Sequence, residues 1–113
     1  MNQQNLFILW TNADEITFEK MIFMYSVNSL VYGWWDHITV IIWGAPTKLA
    51  SENEKVRELI QMMMEKGVHV SACKKCSDEL GVTKELEDLG IEVKYWGQGL
   101  TEILKGEDKL LTI

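Results

Sequence analysis

Residues 37 to 46 read HITVIIWGAP, and this stretch decides the fold class. Apart from Thr39, the run from Ile38 to Trp43 is continuously apolar, and it ends in a Gly-Ala-Pro turn. A strand with apolar residues on both faces is typical of a parallel sheet that helices cover on both sides. The run FILW, residues 7 to 10, has the same character. We therefore expect a buried sheet.

Strand and helix patterns alternate along the rest of the chain. The predicted strands cover residues 6 to 10, 37 to 43, 68 to 72, 91 to 96 and 109 to 113, and the predicted helices cover 15 to 32, 53 to 66, 73 to 80, 83 to 89 and 100 to 104. Parallel neighbours need crossover connections, so this order predicts a three-layer α/β/α fold with a five-stranded, mainly parallel sheet. With 113 residues and no linker or repeat, a single domain over residues 1 to 113 is expected.

Composition excludes several classes of function. The formal charge is −6, with 17 acidic and 11 basic residues, so a surface for nucleic acid is not expected. The start MNQQNLFILW lacks a secretory pattern, and no segment reaches the roughly 18 apolar residues of a membrane helix. We expect a cytoplasmic protein that binds no membrane and keeps its cysteines reduced. No Gly-rich phosphate loop follows the first strand, and no cofactor is predicted.

Two predicted helices carry more apolar surface than one buried face requires. The first, EITFEKMIFMYSVNSLVY, is apolar nearly all round, and in the second Met62 and Met64 flank the core face. These helices predict a homo-oligomer that associates through them. The alternative is that the first helix is buried among its neighbours.

Both cysteines lie in SACKKCSDELG, residues 71 to 81. Cys73 is predicted at a strand end and helix N-terminus, where backbone N–H groups, the helix dipole, Lys74 and Lys75 would favour its thiolate. Cys76 follows one turn later, close enough for a transient disulfide. A thioredoxin-type site would also need a cis-proline opposite the thiols, but the one proline, Pro46, follows the second strand.

A metal site is not predicted. A closed zinc site needs four ligands, and the two cysteines would have to meet both His37 and His69. Each histidine is placed near the beginning of its predicted strand, away from the edge at which Cys73 lies. Both are interpreted as strand-surface residues.

Ligands of parallel α/β sheets bind at the carboxyl ends of the strands. Three predicted strands end on tryptophan and one leads to Cys73, followed by small or polar residues. The predicted binding residues are Trp10, Thr11, Asn12, Trp43, Gly44, Lys74, Trp96 and Gly97. Two plainer interpretations are that the tryptophans only pack against loops and that Thr11 and Asn12 cap the long helix.

The segments LFILWTNAD, HITVIIWGAP, GVHVSACKKCSDELGV and LGIEVKYWGQGLTEIL resemble the DsrE/DsrF-like family, which includes the TusD-type sulfur-relay proteins. The resemblance covers nearly the whole chain and suggests a small, stand-alone member. It implies the three-layer fold, assembly into oligomers, and sulfur donor and acceptor proteins as partners. It also places the family's persulfide-carrying cysteine at Cys73, which is followed by seven residues and then by Gly81 and Val82.

Cys76 departs from the pattern of sulfur-relay members, which generally have one cysteine here. A Cys76 thiolate could attack a persulfide on Cys73, release hydrosulfide and leave a disulfide. Three hypotheses follow: a sulfur-trafficking protein with the persulfide on Cys73, a dithiol oxidoreductase that uses Cys73 and Cys76, and a small-ligand-binding protein with non-reactive thiols. Whether the chain is an enzyme, as a sulfur transferase, stays open.

Overall fold

The computed structural model describes residues 3 to 113, in which five strands form one parallel sheet. The strands are β1 (Asn5–Trp10), β2 (His37–Ile42), β3 (His69–Cys73), β4 (Glu92–Lys94) and β5 (Lys109–Thr112). Their spatial order is β4-β3-β2-β1-β5, and every neighbouring pair is parallel. The predicted α/β class and five-stranded sheet are confirmed.

The first helix covers residues 15 to 31 in three consecutive segments: α1 (Glu15–Thr17), a π-helical segment (Phe18–Phe23) and α2 (Met24–Val31). The other helices are α3 (Pro46–Glu52), α4 (Glu54–Glu65), α5 (Lys74–Leu80), α6 (Thr83–Asp88) and α7 (Gly97–Lys105). No helix within residues 3 to 113 combines the length and apolar character needed to cross a membrane.

Three differences from the sequence prediction change the extent of an element by more than one residue. Helix α3 was not predicted, although Pro46 at its first turn is a typical helix start. The predicted strand over residues 91 to 96 ends at Lys94, because Trp96 caps the next helix, where its carbonyl accepts the N–H of Leu100 at 2.8 Å. Helix α7 therefore begins at Gly97, three residues earlier than predicted.

Helices cover the two faces of the sheet unequally. On one face, the first helix, α3, α4 and α6 contribute buried side chains such as Phe18, Ile60 and Leu86 to the larger core. On the other face, α7 packs through Ile103 against Ile41. We call this second side the α7 face. Because side chains alternate along a strand, residues of β1, β2 and β3 with odd numbers lie on the α7 face.

The junction between β3 and α5 is a sharp change from strand to helix. Cys73 has extended backbone angles (φ −72°, ψ 117°), and α5 begins at the next residue. Helix α5 ends at Gly81, whose φ of 72° is the left-handed conformation that glycine adopts easily. The N–H of Val82 then donates to the Ser77 carbonyl at 2.9 Å, so both ends of this short helix are defined.

Candidate functional site

The two cysteines lie side by side at the carboxyl end of β3. Cys73 is the last residue of β3, is paired with Lys94 of β4 and is 4% exposed. Cys76 lies in the first turn of α5 and is only partly buried. The Cys73 side chain lies close enough to affect the ionisation of the Cys76 thiol, and both cysteines are free thiols. The thiols can therefore react with each other without a change of fold.

A groove of about 450 Å³ opens beside Cys76. It is formed by the turn after β2, the start of α3 and one side of α5. Its lining residues are Gly44, Ala45, Lys48, Cys76, Glu79 and Leu80. Cys73 is not among them, so the groove gives access to one thiol of the pair and not to the other.

The surroundings of Cys76 act on its acidity in opposite directions. Burial raises the pKa of the Cys76 thiol above its ordinary value, because a thiolate is poorly solvated there. The backbone N–H of Gly44 donates to the sulfur and opposes this rise, while the neighbouring Cys73 adds to it. The result is a raised pKa, so Cys76 is mainly a neutral thiol at neutral pH.

The positive charges next to Cys73 are paired within α5. Lys74 Nζ lies 2.8 Å from Asp78 Oδ2, and Lys75 Nζ lies 3.1 Å from Glu79 Oε1. Lys74 also lies over the ring of Tyr95, 5.8 Å from its centroid. The hydrogen bond to Asp78 raises the pKa of Lys74, so this lysine stays charged. The expected positive field at Cys73 is therefore partly offset by two carboxylates.

Trp10 does not lie beside the thiols. It is fully buried in the larger core, where its ring stacks on Phe18 at a centroid distance of 4.7 Å. The register Trp10↔Ile42↔Ala72 puts Trp10 on the face opposite to Cys73, because Cys73 is the next residue along β3. The expectation that three strand-end tryptophans surround Cys73 is therefore wrong for Trp10.

Trp43 and Trp96 both pack on the α7 face, around Ile41. Trp43 directly follows β2 and is half-buried. Trp96 is 5% exposed, and its Nε1 donates to Ser71 Oγ at 2.8 Å. Since Ser71 lies two residues before Cys73 on the same side of β3, this bond attaches the start of α7 to the strand that carries Cys73. Gly97, at the beginning of α7, is exposed.

The other predicted binding residues have structural contacts. The N–H and the hydroxyl of Thr11 both donate to the carbonyl of Ile113, at 2.6 and 3.0 Å. Asn12 Oδ1 accepts the N–H of Asp14 at 3.1 Å, and Asp14 caps the first helix by accepting the N–H of Thr17. That backbone hydrogen bond lowers the pKa of Asp14. These contacts agree with a capping role, whereas Gly44 is the predicted binding residue that reaches Cys76.

Sequence reasoning did not find the groove residues Lys48, Glu79 and Leu80. Lys48 belongs to α3, which was not predicted, and Glu79 and Leu80 were given no role within the predicted helix over residues 73 to 80. The one available signal was Pro46, since a proline after a short Gly-Ala turn favours a helix start. A helix that starts at Pro46 brings Lys48 next to α5.

Two other cavities lie away from the thiols. One, of about 550 Å³, is at the amino ends of β1 and β5, next to Trp35. The other, of about 440 Å³, is on the α7 face and is lined by His69 and Trp96 among others. His69 Nε2 lies 3.3 Å from Glu92 Oε1, and no group of three potential metal ligands occurs among residues 3 to 113. The carboxyl edge with Cys73 and Cys76 remains the best candidate site.

Comparison with protein families gives a match over almost the whole chain. The model of the DsrE/DsrF-like family matches residues 5 to 113. The chain belongs to the DsrE/DsrF-like family. This agrees with the motifs around Cys73, and it makes the carboxyl edge of β3 the natural place to look for function.

Solved structures agree with this family fold. A conserved protein of unknown function from Bacteroides thetaiotaomicron is 41% identical, with a TM-score of 0.95 and coverage of 97% of this chain and 95% of that one. The ychN protein from E. coli is 15% identical (TM-score 0.73, 97% and 99% covered). A protein of unknown function from Methanobacterium thermoautotrophicum is 13% identical (TM-score 0.75, 99% and 100% covered). The last two are similar in fold alone. No curated protein matches this chain.

Proposed function

We propose that this DsrE/DsrF-like protein carries sulfane sulfur as a persulfide on Cys73 and passes it to a partner protein. The observation that supports this most strongly is the position of Cys73, which ends β3 with only 4% of its surface exposed. The family resemblance implies a persulfide-carrying cysteine at this position. A carrier needs its persulfide shielded from other thiols until the acceptor arrives, and a buried sulfur meets that need.

The chemistry of such a carrier is nucleophilic exchange between sulfur atoms. A thiolate attacks the outer sulfur of a persulfide, and the inner sulfur leaves as a thiolate. The rate depends on the thiolate fraction, on the leaving thiol and on access. No metal or organic cofactor is needed for this exchange, and the partners are a sulfur donor and a sulfur acceptor.

The proposal places the protein in the cytoplasm, where thiols are kept reduced, and in a homo-oligomer. Exposed apolar side chains on the first helix support the second part, with Met24 45% and Val31 61% exposed. On α4, Met62 is 46% exposed. Apolar side chains on two neighbouring helices can form a contact surface between copies of the chain.

A dithiol oxidoreductase is the second candidate function. The contact between the Cys73 and Cys76 side chains favours it, because two adjacent thiols three residues apart can form a disulfide. In that case a persulfide on Cys73 would be short-lived. Cys76 would attack Cys73, hydrosulfide would leave, and both cysteines would end in the disulfide.

Mass analysis of the purified protein after exposure to glutathione hydropersulfide tests the proposal. Trypsin cleaves after Lys74 and Lys75, so Cys73 falls in residues 67 to 74 and Cys76 in residues 76 to 84. After alkylation, we expect the first peptide to carry one additional sulfur, about 32 Da, as its long-lived form. The same measurement on Cys73→Ser should lack this long-lived sulfur.

Two outcomes would contradict sulfur carriage. If free hydrosulfide is released and a Cys73–Cys76 disulfide accumulates in place of the persulfide, the dithiol function is supported. If the wild-type protein takes up no sulfur on either cysteine and forms no disulfide, both candidates are wrong. Circular dichroism of each variant provides the control that the fold is intact.

A further inference from the structure

The two thiols of the candidate site differ sharply in access. Cys73 is 4% exposed and is not among the residues that line the groove of about 450 Å³. Cys76 lines that groove directly, and its thiol is affected by the neighbouring Cys73. A donor that approaches along the groove therefore meets Cys76 before it can meet Cys73.

We propose that Cys76 is the exchange thiol of this protein, through which sulfur reaches Cys73 and leaves it again. This inference rests on the proposed function and adds a second reacting residue to it. Cys76 then accepts sulfur from outside, and Cys73 stores it in the shielded position. This role of Cys76 does not require a disulfide between Cys73 and Cys76.

Each step is a sulfur exchange that needs no oxidant or reductant. In the first, Cys76 gives its proton to solvent and its thiolate attacks the outer sulfur of a donor hydropersulfide, the bond between the two donor sulfurs breaks, and the donor leaves as a thiolate that takes up a proton from solvent. Cys76 now carries the hydropersulfide. In the second, the Cys73 thiolate attacks that outer sulfur, and Cys76 leaves and recovers a proton. Delivery to an acceptor thiol is the reverse sequence.

The groove wall indicates the class of donor and acceptor. Gly44, Ala45 and Leu80 supply a small, largely apolar surface, and Lys48 supplies an ammonium group. Within the described part of the chain, no carboxylate pairs with Lys48, whereas Glu79 on the opposite side is paired with Lys75. A free cation beside a thiol favours a donor with anionic groups, so the fitting substrate is the neutral hydropersulfide of a small thiol that carries carboxylates, such as glutathione, or of a partner's exposed cysteine flanked by acidic side chains.

The Gly44 backbone N–H offsets part of the cost that burial places on negative charge at Cys76. This N–H donates to the Cys76 sulfur and stabilises negative charge there. Cys76 becomes a thiolate when it attacks the donor and again when it leaves after passing sulfur to Cys73. A fixed donor at that sulfur lowers the cost of both states, and it needs no rearrangement because Gly44 belongs to the turn after β2.

The test measures the rate at which Cys73 is loaded. Wild type, Cys76→Ser and Cys73→Ser are mixed with glutathione hydropersulfide, quenched by alkylation at increasing times and digested with trypsin. Because access governs sulfur exchange, Cys76→Ser should load Cys73 about tenfold more slowly or worse. Cys73→Ser should still take up sulfur on Cys76 at a rate close to the first phase of wild type. In wild type, sulfur should appear on residues 76 to 84 before residues 67 to 74.

A second pair of variants tests the groove without changing either thiol. Ala45 is exposed in the groove, so Ala45→Phe should obstruct it and slow the loading of both cysteines. Ala13 is equally exposed but lies before the first helix, so Ala13→Phe is the matched control and should load as wild type does. Repeating the measurement on Ala45→Phe with a persulfidated protein as the donor distinguishes the two sources of the substrate. The phenylalanine should exclude a bulky protein from the groove completely, whereas it should only slow loading by glutathione hydropersulfide.

The outcomes separate this inference from the proposed function. If Cys76→Ser loads Cys73 as fast as wild type, Cys76 is not the exchange thiol, although sulfur carriage on Cys73 stands. If Ala45→Phe and Ala13→Phe behave alike, the groove is not the route. If no variant, including wild type, takes up sulfur, it is the proposed function that fails.

Discussion

Replacing Ser71 by alanine should destabilise the protein through an atom on a different residue, Trp96. Ser71 is fully buried, and its hydroxyl accepts the Trp96 Nε1–H at 2.8 Å. Trp96 is 5% exposed, so water cannot replace the lost acceptor. Ser71→Ala would therefore leave a buried N–H without a hydrogen-bond partner next to the strand that ends in Cys73.

The expected loss follows from these burials. An unsatisfied buried donor costs about 1 to 3 kcal/mol, which sets the expected loss in the free energy of unfolding for Ser71→Ala. Ser71 also donates to Glu92 Oε1 at 2.8 Å, but Glu92 is exposed and water can take over that bond. In a domain near this size each kcal/mol lowers the melting temperature by roughly 4 °C. Ser71→Ala should thus melt roughly 4 to 12 °C below wild type.

The assay is urea unfolding, monitored by circular dichroism, of the wild type, Ser71→Ala, Trp96→Phe and the double variant. Trp96→Phe removes the N–H itself, at the cost of some packing. In that background Ser71→Ala should cost less than about 1 kcal/mol, because no buried donor remains to be orphaned. Equal slopes of the unfolding curves would show that all four proteins unfold comparably.

The reasoning is refuted if Ser71→Ala costs the same in both backgrounds. The hydrogen bond from Trp96 would then contribute nothing specific, and Trp96 would be held on the α7 face by packing alone. A free energy of unfolding of Ser71→Ala equal to that of the wild type would refute the reasoning too.

Two further predictions concern the cysteines and the surface. Since burial raises the pKa of Cys76, its alkylation rate should keep rising with pH to a midpoint above that of free cysteine in the same buffer, and a midpoint below it would contradict the environment described for Cys76. Sedimentation should show an oligomer for wild type and a monomer for the double variant Met24→Glu and Val31→Glu, whereas Leu104→Glu, equally exposed on α7, should stay assembled. A monomeric wild type, or dissociation by Leu104→Glu alone, would argue against association through the first helix.

The fold was predictable because its strands are short and apolar and its helices have clear ends. The run ITVIIW marks a strand covered on both faces, and it is the central strand β2. The π-helical segment Phe18–Phe23 was not predicted, since the side-chain pattern of π-helix differs little from that of a broad apolar α-helix. The short helix α3 was hidden because its seven residues, PTKLASE, lack a strong apolar period.

The position of Trp10 could have been predicted from alternation. Trp10 lies at an even distance from Leu6 and Ile8, which are both buried in the larger core, and β1 alternates strictly between half-buried and buried residues. Trp43 belongs to the opposite set. The sequence prediction placed all three strand-end tryptophans together, although side chains at the end of a strand lie on either of the two faces of the sheet.

The pairing of the lysines was also readable from the chain. In KKCSDE, Asp78 and Glu79 each follow a lysine by four residues, the spacing at which side chains meet on a helix. The difference in access between Cys73 and Cys76 could not be read in this way. It depends on the turn after β2 and on α3, which come from a part of the chain about 30 residues away.

The backbone amide of Gly44 lies close enough to the Cys76 sulfur to lower the pKa of its thiol, which makes this amide an internal reporter of the chemistry at that atom. A neutral thiol, a thiolate, a hydropersulfide and a disulfide are acceptors of different strength, and the resonance of an amide proton moves with the strength of its acceptor. Gly44 reacts with nothing itself, so its signal can be followed while Cys76 turns over. Nuclear magnetic resonance of a single glycine would thus read the sulfur state of the site in the intact protein, without any label on the cysteines.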